Sequence, residues 1–521
     1  MEEMSLREKI LKTFVVTIRE VNKHGGPKEF FEKYPVGGFF FREAAGGLDE
    51  NGVEIGTGHS YEKYLECVKA SKKKLFVCAD GVPLDGAKNL RILGRTFGAS
   101  KSIEDAYELG RLYAINFHAK NVDMILGPSM DLCIDPLMYL HAVSDDPKFT
   151  AELYKAQVKG IQDNGICATS KHFPGLGTYF VNMHMSPGAN KLDFDTWMET
   201  YGYTYKELIN AGVMAIMTTH VTLKSYDSEG DHGFYPIATF SPKLTTELLK
   251  EKLGFKGVVI TDALIMGGNA TGDDVAEAVQ AFRAGADLLL WPPVEAAEKI
   301  EELILSGDIP MSRLDDALER IGRLEEFRNK AIAENKIPKP DIDYVDKKMV
   351  EIVKRGVCLL RNDIGLLPIN KEKYRKIVVV DGSEKGAAPS TMLLKDELER
   401  RGFEVDVVRD IYDTSSTVCW QPDINAIQDK YDLAIINMDC NFVAQWSVPH
   451  MLIWASHMFD KKKKVIVNYG SPYFASEYFP EDPTYVEMNC KAHPETVKFL
   501  VDGLLGEVEF TGTSIFTKEI K

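Results

Sequence analysis

From residue 36 to about residue 290 the chain repeats one pattern: a short, unbroken apolar run, a helical stretch with one polar face, then the next run. The runs are Val36 to Phe41, Leu75 to Ala79, Val122 to Leu126, Ile166 to Ser170, Met214 to Thr218, Val258 to Thr261 and Asp287 to Trp291. A strand that is apolar at every position must be covered on both faces, and alternation with amphipathic helices supplies that cover in a parallel sheet. Seven such units in a row favour a (β/α)8 TIM-type barrel, with an open doubly wound sheet as the alternative. The eighth strand is not evident in the sequence.

A length of 521 residues exceeds one ordinary core. Helical patterns fill residues 294 to 353 and are broken by Asn335-Lys336-Ile337-Pro338-Lys339-Pro340-Asp341, where two prolines among polar residues mark a boundary. A second alternation follows, with Lys376 to Val380, a helix from Thr391 to Arg401, then Glu404 to Val408, Leu433 to Ile436 and Lys464 to Asn468. That pattern predicts a smaller α/β domain of sandwich type. The expected organisation is a barrel domain over 1–335, a linker over 336–355 and an α/β sandwich domain over 356–521.

Composition narrows the function. A net charge of −16 opposes association with phosphate backbones, so no nucleic-acid partner is expected. The run Lys461-Lys462-Lys463-Lys464 reads as a solvated helix end before a strand. No apolar run approaches the roughly eighteen residues needed to span a bilayer, and no membrane association is expected. The first residues lack the pattern of a secretory signal, which makes the cytoplasm the expected compartment. Eight scattered cysteines form no CxxC pair, so they are read as reduced and structural, with no metal site and no cofactor. Oligomeric state is not readable.

In a barrel the functional groups project from the C-terminal ends of the strands. Here those ends carry Asp80, Asp131 in Gly127-Pro128-Ser129-Met130-Asp131, Lys171 and His172, His220, and Asp262. Taken singly, an aspartate after a strand caps the next helix and a lone histidine is a core or rim group. Six ionisable groups from five strand ends go beyond what capping requires. The loop from Pro174 to Gly188 is rich in Gly and Pro at its base and tip and carries His184, whose ordinary pKa suits proton transfer; a surface histidine is the alternative.

The run Lys171-His172-Phe173-Pro174-Gly175-Leu176-Gly177, followed after four residues by Asn182-Met183-His184, resembles the signature of glycoside hydrolase family 3, in particular its β-N-acetylglucosaminidase branch. The segment Phe255-Lys256-Gly257-Val258-Val259-Ile260-Thr261-Asp262-Ala263-Leu264-Ile265-Met266-Gly267 is similar to that family's nucleophile segment. The resemblance implies a hydrolase of carbohydrate metabolism that works by retention. Asp262 would form a covalent glycosyl-enzyme and His184 would act as general acid and base. Asp80, Asp131, Lys171, His172, His220 and Met266 match positions implied to hold the substrate.

Three departures stand out. Asn182 replaces the aspartate that normally orients the loop histidine, which removes a negative charge and should leave His184 a weaker base than its family counterpart. His141, in His141-Ala142-Val143-Ser144-Asp145-Asp146-Pro147, stands where the family carries a substrate-binding arginine. The family's acidic, double-glycine stretch reads Asp80-Gly81-Val82-Pro83-Leu84-Asp85. Three functions therefore compete: a retaining exo-glycosidase acting on β-N-acetylglucosaminides or related β-hexosides, a glycoside phosphorylase releasing a sugar 1-phosphate, and a catalytically impaired sugar-binding homologue. Trp420, Asp439, Asn441, Gln445 and Trp446 of the second domain are further candidates for lining a site.

Overall fold

In the computed structural model the apolar runs become strands of one parallel eight-stranded sheet. The structure describes residues 4–41, 47–48, 54–55, 57–81, 84–85, 91–134, 142–176, 181–230, 235–339, 341–383, 389–408, 428–439, 456–457 and 459–517. The chain forms two compact units.

Unit one comprises Met1–Val82, Ala106–Asp135 and Pro147–Asp341. Its strands are β1 (Phe14–Val16), β2 (Gly38–Phe41), β3 (Phe76–Asp80), β4 (Met124–Leu126), β5 (Cys167–Phe173), β6 (Ala215–Thr218), β7 (Val258–Thr261) and β8 (Leu289–Leu290). They pair in chain order, with β8 returning to β1 through Phe14↔Leu289 and Val15↔Leu290. A parallel bridge between Ile260 and Leu288 brings β7 to β8 and completes the ring. Strands β1, β2, β4, β6, β7 and β8 are buried at every position, as strands with side chains inside the ring and under the outer helices must be.

The strand missing from the sequence pattern is the first one. β1 is three residues long and is flanked by the helices Leu6–Leu11 and Ile18–Lys23. Only Lys12 and Thr13 separate its apolar residues from the buried Ile10 and Leu11 of the preceding helix, so no separate period shows. Burial of Phe14 and Val16 stabilises the closure by about 1.5–3 kcal/mol per side chain.

At the opposite end of the ring from the strand C-termini, Asp287 sits two residues before β8 with no exposed surface. Its carboxylate accepts from Lys250 Nζ at 2.7 Å, from the Arg313 guanidinium at 2.6 Å and from the Val259 N–H at 2.8 Å. Burial pushes the Lys250 ammonium toward its neutral form, and Asp287 opposes that push. Asp287→Ala should lower the unfolding free energy by about 3–5 kcal/mol, because it leaves buried cations short of a counter-charge. Urea unfolding measures this, and a change under 1 kcal/mol would show that Asp316, 2.9 Å from Lys250, carries the pairing alone.

Unit two comprises Pro83–Asp105, Pro136–Asp146 and Ile342–Lys521. Its six strands are β9 (Cys358–Asn362), β10 (Lys376–Ser383), β11 (Glu404–Val408), β12 (Leu433–Asp439), β13 (Lys464–Asn468) and β14 (Thr484–Glu487). Their order is β9-β14-β13-β12-β10-β11, with only the edge strand β9 antiparallel to its neighbour. Helices Pro389–Arg400 and Pro494–Leu504 accompany this sheet. The unit is an α/β layered domain of the expected kind.

Its boundaries follow contacts that sequence order hides. Residues 342–355 of the stretch expected as a linker lie in the helix Ile342–Gly356, with Val345, Met349, Ile352 and Val353 buried along one stripe. Two stretches numbered among the barrel residues also pack here. Arg95, fully buried, donates to the Tyr469 carbonyl at 2.6 Å and to that of Gly470. Thr96 bonds the Asn489 carbonyl, Arg355 bonds Asp105, and Ser144 Oγ donates to the Ile515 carbonyl at 2.8 Å. No helix among the described residues is long and apolar enough to cross a membrane.

Candidate active site

The polar groups singled out in the sequence meet at the C-terminal ends of the barrel strands. Lys171 and His172, expected after their strand, lie within it, since β5 runs on to Phe173. Lys171 Nζ is 2.8 Å from Oδ1 of Asp80, the last residue of β3. Asp131, with no exposed surface, accepts from His172 Nδ1 at 2.8 Å, Ser129 Oγ at 2.8 Å and the Leu176 N–H at 2.6 Å. A buried carboxylate with three donors is a satisfied one, and it fixes the His172 ring. The same carboxylate holds the start of the His184 loop through Leu176.

Asp262 follows β7 directly. Its Oδ2 accepts from Thr219 Oγ1 at 2.8 Å and its Oδ1 from the Ala263 N–H at 2.9 Å. Burial pushes this carboxyl upward, but the positive charge of His172, then that of His220, and then these two hydrogen bonds outweigh it, so the group sits below the usual aspartate range. Asp262 is therefore an anion at neutral pH with fixed orientation.

His220 is completely buried. Its Nε2 lies 3.1 Å from the Ala263 carbonyl, which can only accept, and its Nδ1 lies 2.9 Å from Thr239 Oγ1. Burial pushes His220 downward toward the neutral ring, only partly offset by Asp262. We therefore attribute the charge that stabilises Asp262 chiefly to His172. A direct substrate contact, expected of His220, does not fit a ring whose nitrogens are both bonded to protein; it braces the turn after Asp262 instead. Met266 lies buried in that turn, its N–H bonded to the Ala263 carbonyl at 3.2 Å.

The loop histidine also reaches this end of the barrel. After the loop, Gly188–Asn190 pairs in parallel with Val221–Leu223, which directly follow His220. His184 Nδ1 is 2.8 Å from Asn182 Oδ1, and the Gly267 N–H donates to the His184 carbonyl at 2.9 Å. An amide oxygen only accepts, so Nδ1 carries the proton and Nε2 is the nitrogen that exchanges one. His141 lies outside the described residues, as do Trp420, Asn441, Gln445 and Trp446. Asp439 ends β12 in unit two, where Ser390 Oγ donates to it at 3.0 Å.

Sequence reasoning passed over the hydroxyls. Thr219, Ser129 and Thr239 orient Asp262, Asp131 and His220 respectively. A weak signal for one of them exists in Thr218-Thr219-His220, a polar triplet ending an apolar run.

A closed parallel barrel with carboxylate, ammonium and imidazole groups at its C-terminal mouth has the architecture of a (β/α)8 protein with a polar ligand site. Residues 93–324 match the glycosyl hydrolase family 3 N terminal domain. A beta-N-acetylglucosaminidase/beta-glucosidase of Cellulomonas fimi is 26% identical over 329 residues, which cover 56% of this chain and 57% of that protein. The chain thus matches little more than half the length of that relative. The structure of the beta-glucoside phosphorylase BglX bound to 2FGlc superposes with a TM-score of 0.82 at 22% identity, covering 99% of this chain and 94% of that one. A glycoside hydrolase family 3 beta-N-acetylglucosaminidase from Paenibacillus sp. str. FPU-7 gives a TM-score of 0.80 at 21% identity, with 100% of both chains covered. These two likenesses bear on the fold.

Proposed function

We propose that this chain is a retaining, exo-acting glycosidase that cleaves β-N-acetylglucosaminides or related β-hexosides. The observation that carries this reading is the Asp262 carboxylate, ionised and aimed by Thr219 and the Ala263 N–H beside the Asp131-bound His172, within a family 3 domain. Asp262 attacks the anomeric carbon and forms the covalent glycosyl-enzyme, while protonated His184 gives its Nε2 proton to the departing oxygen. Neutral His184 then takes a proton from the water that releases the sugar. Asp80, Lys171 and His172 hold the sugar hydroxyls, Asp131 serves the sugar from beneath by fixing the His172 ring, Met266 lies against the sugar ring and His141 stands in place of an arginine contact. Asn182 orients His184 through Nδ1 but adds no charge.

That neutral orienting contact also favours a second reading, phosphorolysis. A phosphate dianion entering the mouth meets one negative charge fewer than it would beside an aspartate. Aryl β-glycosides of N-acetylglucosamine and glucose, assayed with and without phosphate, separate the two. Hydrolysis predicts free sugar at a rate independent of phosphate, and phosphorolysis predicts a phosphate-dependent sugar 1-phosphate. Turnover of neither glycoside under either condition would reject both and favour the sugar-binding homologue. We place the protein in the cytoplasm on the chemistry of its thiols: Cys67, Cys78, Cys133, Cys167, Cys358 and Cys490 are all buried and unbridged.

A further inference from the structure

Gly267 and Gly268 lie in the turn after Asp262, and neither has the left-handed backbone that calls for glycine. What forbids a side chain at both is space. A Cβ on Gly267 would lie 2.6 Å from the Met185 carbonyl oxygen and 3.0 Å from that of His184. On Gly268 it would lie 2.4 Å from the Met183 carbonyl oxygen and 2.9 Å from the His220 Cβ. The obstructing atoms are almost all backbone atoms of the loop that carries His184.

The two sides of this contact differ in rigidity. The turn is tied to the barrel: Leu264 N donates to the Leu290 carbonyl at 3.0 Å, and buried Asn269 bonds the Leu264 carbonyl at 2.9 Å and the buried Glu277 carboxylate at 2.8 Å. The loop tip is held lightly. Asn182, His184, Met185, Ser186 and Pro187 are exposed, Met185 to 80%, and among the described residues 182–187 only Met183 is buried. A backbone bond between tip and turn is that from the Gly267 N–H to the His184 carbonyl, worth about 0.5–1.5 kcal/mol. A methyl group placed at this contact therefore displaces the loop, not the turn.

We propose that Gly267 and Gly268 form a backbone platform that sets the docked position of His184, making them positioning residues for its proton transfer. The inference rests on the reading of His184 as the general acid. It requires that the bare glycine surface, and not a side chain, define how far the histidine stands from the bond that Asp262 attacks.

The test compares kcat/KM for the 2,4-dinitrophenyl and methyl β-glycosides of one sugar in wild type, Gly267→Ala, Gly268→Ala and His184→Ala. A dinitrophenolate leaves without a proton, whereas methanol needs one, so losing the acid affects only the second substrate. Each glycine variant is expected to lose about 10²-fold on the methyl glycoside and less than about threefold on the dinitrophenyl glycoside, with an unchanged unfolding midpoint. Equal loss on both substrates, no loss on either, or failure of both variants to fold overturns the platform. If His184→Ala shows no such selectivity, it is the assignment of the acid that fails.

Discussion

Asp262→Asn is expected to reduce kcat/KM on an aryl β-glycoside by at least about 10⁴-fold while leaving the fold intact. The replacement amide can place its oxygen toward the Ala263 N–H and its NH2 toward Thr219 Oγ1, so both contacts that orient the group survive. What disappears is the anion, and with it the capacity to bond to the anomeric carbon and to stabilise the positive charge that develops there. Incubation with a 2-deoxy-2-fluoro glycoside should add the mass of one sugar to the wild-type protein and none to the variant. Undiminished turnover in Asp262→Asn would remove the aspartate from the mechanism.

The second large effect is expected from Asp131→Asn, a substitution with no exposed surface. Asp131 is the counter-ion of His172, and the charge on His172 is the strongest pull holding Asp262 below the aspartate range against its burial. A lowered carboxyl pKa keeps Asp262 charged to lower pH, so the acidic limb of the wild-type kcat/KM profile should fall below the ordinary aspartate value of about 4. Neutralising Asp131 removes the anionic partner of His172, the side chain that pulls Asp262 down most, and should move that limb upward by about one pH unit. Near neutrality kcat/KM should also fall by about 10²-fold, because His172 and the Leu176 end of the loop lose the acceptor that fixes them. An unmoved limb would show that the Asp131–His172 pair does not set the ionisation of Asp262.

These two aspartates were both visible in the sequence, and for the same reason. Asp262 directly ends a continuous apolar run and Asp131 follows one after Gly127-Pro128-Ser129-Met130, and a charged residue in either place lies beyond the strand, at the mouth end of the barrel. The neighbours that set their properties were not visible, because Thr219, Ser129 and Thr239 are residue types found in any turn. Only the closing of the ring brings Thr219 within 2.8 Å of a carboxylate 43 positions further along the chain. The platform at Gly267 and Gly268 was hidden in another way: a glycine pair in a turn ordinarily signals backbone conformation, and here it signals the approach of a second segment.

By itself the sequence determined the layered α/β class, the run of barrel strands, and the identity of the ionisable groups at their ends. Those properties are written locally, in runs of apolar side chains that must be covered on both faces and in the residue that ends each run. Tertiary structure decided the rest. It supplied β1, too short to carry a period, and drew residues 83–105 and 136–146 into the second unit through buried polar contacts such as that of Arg95. It also decided which charges meet. Coulombic pairing, hydrogen-bond geometry and the space left for a methyl group all depend on distances between residues far apart in the chain, and no local pattern encodes those distances.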